Sequence, residues 1–238
     1  MAEENTKQCY IAIFDILGFK EYVKENSHTV VYERLKIIRQ RLQENLDLIR
    51  IVNENLSKES TSIKFYEVDY LLFSDTILLI TENDTNESFI NIVSEARKLI
   101  AFCFKEQTPI KGCIAKGQVI YDKNKNILFG KPIIDAHLLS EDMKFMGIIL
   151  DKSLERQVRI PTLKPNPVFV NKKVPLKSGA AFHYSLNLNN DESTFYEDEI
   201  TNEVMLAGIA KMYESANGGI RQYYDNTIDL YWSNNVSN

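Results

Sequence analysis

The chain has 238 residues, 44% hydrophobic and 26% charged, which is enough apolar material to bury a substantial core and excludes a disordered polypeptide. A net charge of -5 and a pI near 5.4 argue against wholesale binding to nucleic acid or to an anionic membrane. Cys9, Cys103 and Cys113 form no CxxC pair and sit in apolar segments, which predicts reduced, buried thiols and a cytoplasmic location. The acidic start Met1-Ala2-Glu3-Glu4-Asn5 has no apolar signal core, and no apolar run approaches the ~18 residues of a membrane span, so neither export nor insertion is expected.

The first apolar run, Tyr10 to Phe14, predicts a strand running into Asp15, with Gly18 permitting a tight turn before a short helical piece over Lys20 to Lys24. Val31, Leu35, Ile38, Leu42, Leu46, Ile49, Val52 and Leu56 then step by threes and fours, the mark of a long amphipathic helix. From Ile63 to Phe73 and Thr76 to Ile80 the pattern becomes β-rich, with Ser74-Asp75 as a hairpin turn, and Thr81 to Glu87 reads as a loop. A second amphipathic helix follows over Phe89 to Cys103 and ends before Pro109. Ile110 to Tyr121 is a strand in which Gly112 and Gly117 mark a bend or a close approach, Asp122 to Asn126 is a turn, and Pro132 opens a helix reaching Leu139. Met146 to Leu150 is a further strand, and Asp151 is placed to cap a helix over Ser153 to Val158. After Pro161, Pro165 and Pro167 come strands over Val168 to Val170 and Ala180 to Leu188, then a helix over Val204 to Ala216 closed by Gly218-Gly219. The order of elements predicts an α+β, ferredoxin-like, antiparallel-rich sheet with helices on one face. This core is expected over 1–160, and an α/β extension packed on the same domain over 161–238.

Two isolated acids interrupt apolar strand patterns, Asp15 in Phe14-Asp15-Ile16-Leu17-Gly18-Phe19 and Asp75 in Phe73-Ser74-Asp75-Thr76. If their strands are neighbours, both carboxylates fall at one rim of the sheet. Two unit charges ~4 Å apart repel by roughly 4 kcal/mol at an effective dielectric near 20, a cost that a divalent cation turns into a binding site. The bland alternatives are a helix N-cap for Asp15 and a turn residue for Asp75. Walker, G-x-G-x-x-G, H-E-x-x-H, G-x-S-x-G and G-G-D-E-F sequences are all absent.

Asp15-Ile16-Leu17-Gly18-Phe19 resembles the D-I-x-G-F element of class III nucleotidyl cyclases, and Phe73-Ser74-Asp75 resembles their hairpin acid. Lys111-Gly112-Cys113-Ile114-Ala115-Lys116-Gly117 is similar to their (R/K)-x-G-I-x-x-G strand in a slightly shifted form, and Phe129-Gly130 with Ala136 is similar to their W-G...A element. The resemblance covers about residues 9 to 154. Within that group the wording is most like the pyrimidine (uridylate or cytidylate) cyclases of bacterial Pycsar anti-phage systems. It implies a class III cyclase core converting UTP, ahead of CTP, to the 3',5'-cyclic nucleotide and pyrophosphate. It further implies a homodimer with interfacial active sites and a separate effector that responds to the product.

On this resemblance Asp15 and Asp75 are the catalytic carboxylates and, with the Ile16 carbonyl, hold two Mn²⁺ or Mg²⁺ ions. The amides of Leu17, Gly18 and Phe19, with Lys111, Lys116 and Lys131, are candidates for the triphosphate. Tyr66, Asp69, Tyr70, Asp135 and His137 are candidates for base or ribose. The positions of the purine cyclases' transition-state Asn and Arg hold Ile134 and Leu138, and those of their adenine-reading Lys and Asp hold Leu71 and Ile127. Ordinary adenine recognition is therefore not expected, which leaves a pyrimidine base, an atypical purine cyclase or a catalytically silent nucleotide-binding module.

Overall fold

Cys9 to Phe14 are buried on both sides of a single strand, and this fixes the architecture around it. The computed structural model describes residues 6–58, 66–158, 168–188 and 200–232. The central strand is β1 (Thr6–Ile16), followed by the short α1 (Phe19–Glu25) and the long α2 (His28–Lys58). A hairpin of β2 (Val68–Phe73) and β3 (Thr76–Thr81) leads to α3 (Asn86–Lys105) and then β4 (Ile110–Asp122). These first four strands lie in the order β2-β3-β1-β4, every neighbouring pair antiparallel, which is the ferredoxin-like arrangement the element order predicts. Of the expected hairpin run, residues 63–65 lie outside the described residues.

β5 (Ile127–Gly130) folds back on β4 and opens α4 (Lys131–Asp142), with Pro132 in the first turn. β6 (Ile148–Leu150) joins β4 in parallel, and Asp151 accepts a hydrogen bond from the Ser153 amide at 2.8 Å ahead of the short α5 (Glu155–Val158). Beyond it, β7 (Phe169–Leu176) and β8 (Gly179–Leu186) form a hairpin whose β8 pairs with β6, so one sheet runs from β2 to β7. The last described elements are α6 (Asn202–Ser215), a 3-10 turn at Gly218–Ile220 and α7 (Arg221–Tyr231). Two of these elements, β5 and α7, were not anticipated from the sequence.

The side-chain alternation of β1 sorts the two faces. The Tyr10 ring lies 5.2 Å from Phe89 of α3 in a tilted contact, so Tyr10, Ala12 and Phe14 face the layer of α2 and α3. Ile11, Ile13 and Asp15 point the other way, toward α4. Gly117, opposite Cys9, lies beneath Pro132 on that same side, where an added Cβ would come within 3.3 Å of the ring. The expected helices thus cover one face, and α4 adds a partial cover on the second. Against the α3 layer, α6 packs so closely at Gly208 that a Cβ there would run into the Phe104 carbonyl. No helix among the described residues is long and apolar enough to cross a membrane.

Candidate active site

Asp15 pairs in register with Thr76 on one side and Lys111 on the other, at the end of β1 where the sheet opens. The β2-β3 turn brings Asp75 beside it, with Ser74 in the left-handed region (φ 55) and the Ile16 N–H donating to the Asp75 carbonyl at 2.9 Å. Gly18, at φ 73, turns the chain out of β1 and into α1, a backbone conformation that a Cβ would strain. Asp15, Ile16 and Asp75 therefore meet at one rim.

Lys111 lies beneath Asp15, only 2% exposed, with its Nζ 3.9 Å from Asp15 Oδ2. Two carbonyls at the end of α4 receive its ammonium, Glu141 O at 3.1 Å and Met143 O at 3.4 Å. Burial pushes the Asp15 carboxyl above its ordinary range; the Lys111 charge opposes that rise, while Asp75 and Glu141 add to it and Lys177 offsets it. Burial likewise lowers the Lys111 ammonium to about 8, against the pull of Asp15. Desolvation outweighs attraction for both partners, so this pair is a poised charge arrangement rather than a stabilising salt bridge.

Two carboxylates and an adjacent main-chain carbonyl are hard oxygen donors of the kind Mg²⁺ and Mn²⁺ take, and the raised Asp15 carboxyl is relieved when a cation neutralises the pair. No group of three or more His, Cys, Asp or Glu side chains gathers as a ligand set among the described residues.

The other candidates are dispersed. The Leu17 N–H is committed to the Pro109 carbonyl at 2.9 Å, so it is no phosphate donor; Gly18 and Phe19 remain, with amides that open α1. Lys116 is five residues, about 17 Å, along β4 from Lys111 and on the opposite face, over the Tyr10 ring and paired with Asp84 at 3.1 Å. Lys131 sits at the far end of α4, paired with Asp135, and His137 lies 3.9 Å from Glu141. Tyr70 faces α2, its hydroxyl donating to Gln43 at 2.7 Å, and the Tyr66 carbonyl is held by Asn91 of α3. Of the Tyr66, Asp69 and Tyr70 set only Asp69 shares the Asp15 face, four residues or about 13 Å from the rim and paired with Lys123.

Two residues beside the acids were not foreseen. Lys177, in the turn between β7 and β8, acts electrostatically on both Asp15 and Lys111. The turn is docked on the end of α4, the Lys177 N–H donating to Asp142 O at 2.6 Å and the Ser178 N–H to Asp142 Oδ1 at 2.9 Å. Tyr223 of α7 carries its ring to 5.9 Å from Lys111 Nζ; its phenol is pushed up by burial and further by Asp15. The spacing of Tyr224, Thr227 and Tyr231 is the one sequence signal that locates α7.

No family model matches the chain, and no curated protein matches it. Among solved structures it is similar to the catalytic core of a rhodopsin-guanylyl cyclase with converted specificity in complex with ATPalphaS, at 15% identity and a TM-score of 0.48 over 76% of this chain and 97% of that one. The guanylate cyclase domain of RhGC from Catenaria anguillulae in complex with GTP has the same identity and TM-score over 76% of this chain and 96% of that one. An adenylate/guanylate cyclase/hydrolase from Silicibacter pomeroyi gives 15% identity and a TM-score of 0.44 over 76% and 96% of the two chains.

Proposed function

We propose that this chain is a metal-dependent nucleotidyl cyclase that converts UTP, or CTP, to its 3',5'-cyclic monophosphate and pyrophosphate. The observation that carries this reading is the convergence of Asp15 and Asp75 on one rim over a buried Lys111. In the reaction the ribose 3'-oxygen bonds to the α-phosphorus, the bond from that phosphorus to the pyrophosphate oxygen breaks, and the 3'-hydroxyl proton passes to water. Divalent ions, when bound, favour the deprotonated hydroxyl and neutralise the leaving group. Asp15 and Asp75 hold them, with the Ile16 carbonyl as the third protein donor. Lys111 and Lys177 balance the polyphosphate charge, and the Gly18 and Phe19 amides approach it from the start of α1.

The sites are completed in a homodimer. The dispersal of Asp69, Lys131, Asp135 and His137 away from the acids of their own chain supports this, as does apolar surface at Leu71, Phe73 (82% exposed), Ile134 and Leu138. The described segments after 161, namely 168–188 and 200–232, belong to the same unit in this reading, since β8 extends the sheet and α6 packs on α3. The product acts in the cytoplasm on a separate cyclic-nucleotide-responsive effector in anti-phage signalling, a role that rests on the sequence resemblance alone. A silent nucleotide-binding module is favoured by one observation, the apolar Ile134 and Leu138 where purine cyclases place polar transition-state groups.

Incubation with each of the four ribonucleoside triphosphates and Mn²⁺, with products identified by mass, separates the readings. A cyclic pyrimidine product supports the proposal, a purine product an atypical purine cyclase, and no product the silent module. Asp15→Ala and Asp75→Ala each abolish turnover, and an intact rate in either dismisses the metal assignment.

A further inference from the structure

We propose that Tyr223, on the C-terminal helix α7, is a positioning residue of the acid site: its ring holds the Lys111 ammonium away from Asp15, so that the carboxylate stays available to a cation. The inference rests on the metal-binding reading of Asp15 and Asp75. Lys111 Nζ has three protons and two close acceptors, the Glu141 and Met143 carbonyls. Beyond them stand Asp15 Oδ2 at 3.9 Å and the Tyr223 ring centroid at 5.9 Å, a cation-to-ring distance within the attractive range. The ammonium therefore stops about 1 Å short of a charge-assisted hydrogen bond to Asp15. The two carbonyls anchor the ammonium and the ring adds attraction beside them, while the four-carbon stem is flexible enough to close the gap once that attraction is lost.

α7 is built to hold the ring in place. Thr227 accepts a hydrogen bond from the Met146 N–H at 2.8 Å and donates to the Tyr223 carbonyl at 2.6 Å. The Asn226 amide donates to Lys144 O at 2.7 Å, and the Tyr231 hydroxyl meets Ser185 Oγ at 2.7 Å. The segment Lys144 to Met146 that α7 grips follows directly on Met143, whose carbonyl receives Lys111. Ring and carbonyl are thus fixed by the same contacts. Without the ring, the ammonium closes on Asp15 and competes for the oxygen that a metal needs.

The test is calorimetric titration of the intact chain with MnCl₂. Tyr223→Leu weakens Mn²⁺ binding roughly 10-fold, and Tyr223→Phe, which keeps the ring, restores wild-type affinity. In a Lys111→Met background Tyr223→Leu has no further effect, because the competing ammonium is gone. If the Leu variant is too unstable to titrate, Tyr223→Met fills the space without a ring and is read the same way. A lowered melting temperature with an unchanged Mn²⁺ titration means a merely structural tyrosine and overturns the proposal, as does a loss that persists in the Lys111→Met background. A wild-type chain that binds no Mn²⁺ overturns the metal reading itself, a result distinct from wild-type binding that Tyr223→Leu leaves intact.

Discussion

Asp75→Asn tests the electrostatics of the rim without reference to turnover. It keeps the size of the side chain but removes a charge that raises the Asp15 carboxyl. Two unit charges at an effective dielectric near 20 repel by about 4 kcal/mol at 4 Å and by less farther apart, which bounds the effect from above. Asp15 is 34% exposed and has Lys111 at 3.9 Å, which discounts that repulsion to about 1 kcal/mol of net destabilisation in metal-free protein. In a chain of 238 residues such a difference moves the melting temperature by about 2–4 °C. In EDTA, Asp75→Asn therefore melts about 2–4 °C above wild type. Mn²⁺ reverses the order: at a hundred times its dissociation constant a ligand adds about 2.7 kcal/mol to the wild type, and the variant with a single carboxylate gains little. Differential scanning calorimetry in EDTA and across a Mn²⁺ titration gives both numbers. A variant that melts below wild type in EDTA, or that Mn²⁺ stabilises to the wild-type extent, refutes the idea of two mutually repelling acids.

Further outcomes follow from other parts of the molecule. Gly208→Ala places a methyl group against the Phe104 carbonyl, and overpacking of this kind costs about 1–3 kcal/mol or more, so thermal denaturation should show a drop of at least several degrees. The Lys111 amine titrates at about 8 when folded and near its ordinary value when unfolded. Between those limits the unfolded chain binds more protons, so stability rises with pH; Lys111→Met removes that share of the rise, and an unchanged pH slope in its melting curves contradicts the assigned burial. Burial pushes the Cys9 thiol up to about 11 and those of Cys103 and Cys113 higher still. All three are inert to a thiol reagent at neutral pH until denaturant is added, and fast labelling of the native protein contradicts the packing.

The long elements were legible because burial imposes their periods. The stripe of α2, the strands β1 and β4 and the amphipathic α3 all follow from spacing alone. β5 escaped because four residues beside Gly-Lys-Pro carry no readable period, and α7 because its buried positions are Tyr224, Thr227 and Tyr231, part-polar side chains rather than an aliphatic stripe. At the site, Asp15 and Asp75 were visible as acids breaking apolar runs. Strand parity puts Lys116 on the face opposite Lys111, since five residues is an odd step. Parity also turns Tyr70 to the helix face, three residues before Phe73, which shares the Asp15 face. Lys177 and Tyr223 were invisible because they reach the acids by tertiary docking of a hairpin and a helix, which no local pattern encodes.

Among the described residues the two outer strands of the sheet, β2 and β7, differ in how they meet solvent. β7 carries Lys172, Lys173 and Pro175, the residue types that discourage a foreign strand from adding on, whereas β2 reads Val-Asp-Tyr-Leu-Leu-Phe with no lysine or proline. Strand addition between molecules, whether in concentrated stocks or during refolding, is therefore directed to β2. A neighbour joining there lies alongside the hairpin that carries Asp75, so self-association by this route masks the acids as the sheet lengthens.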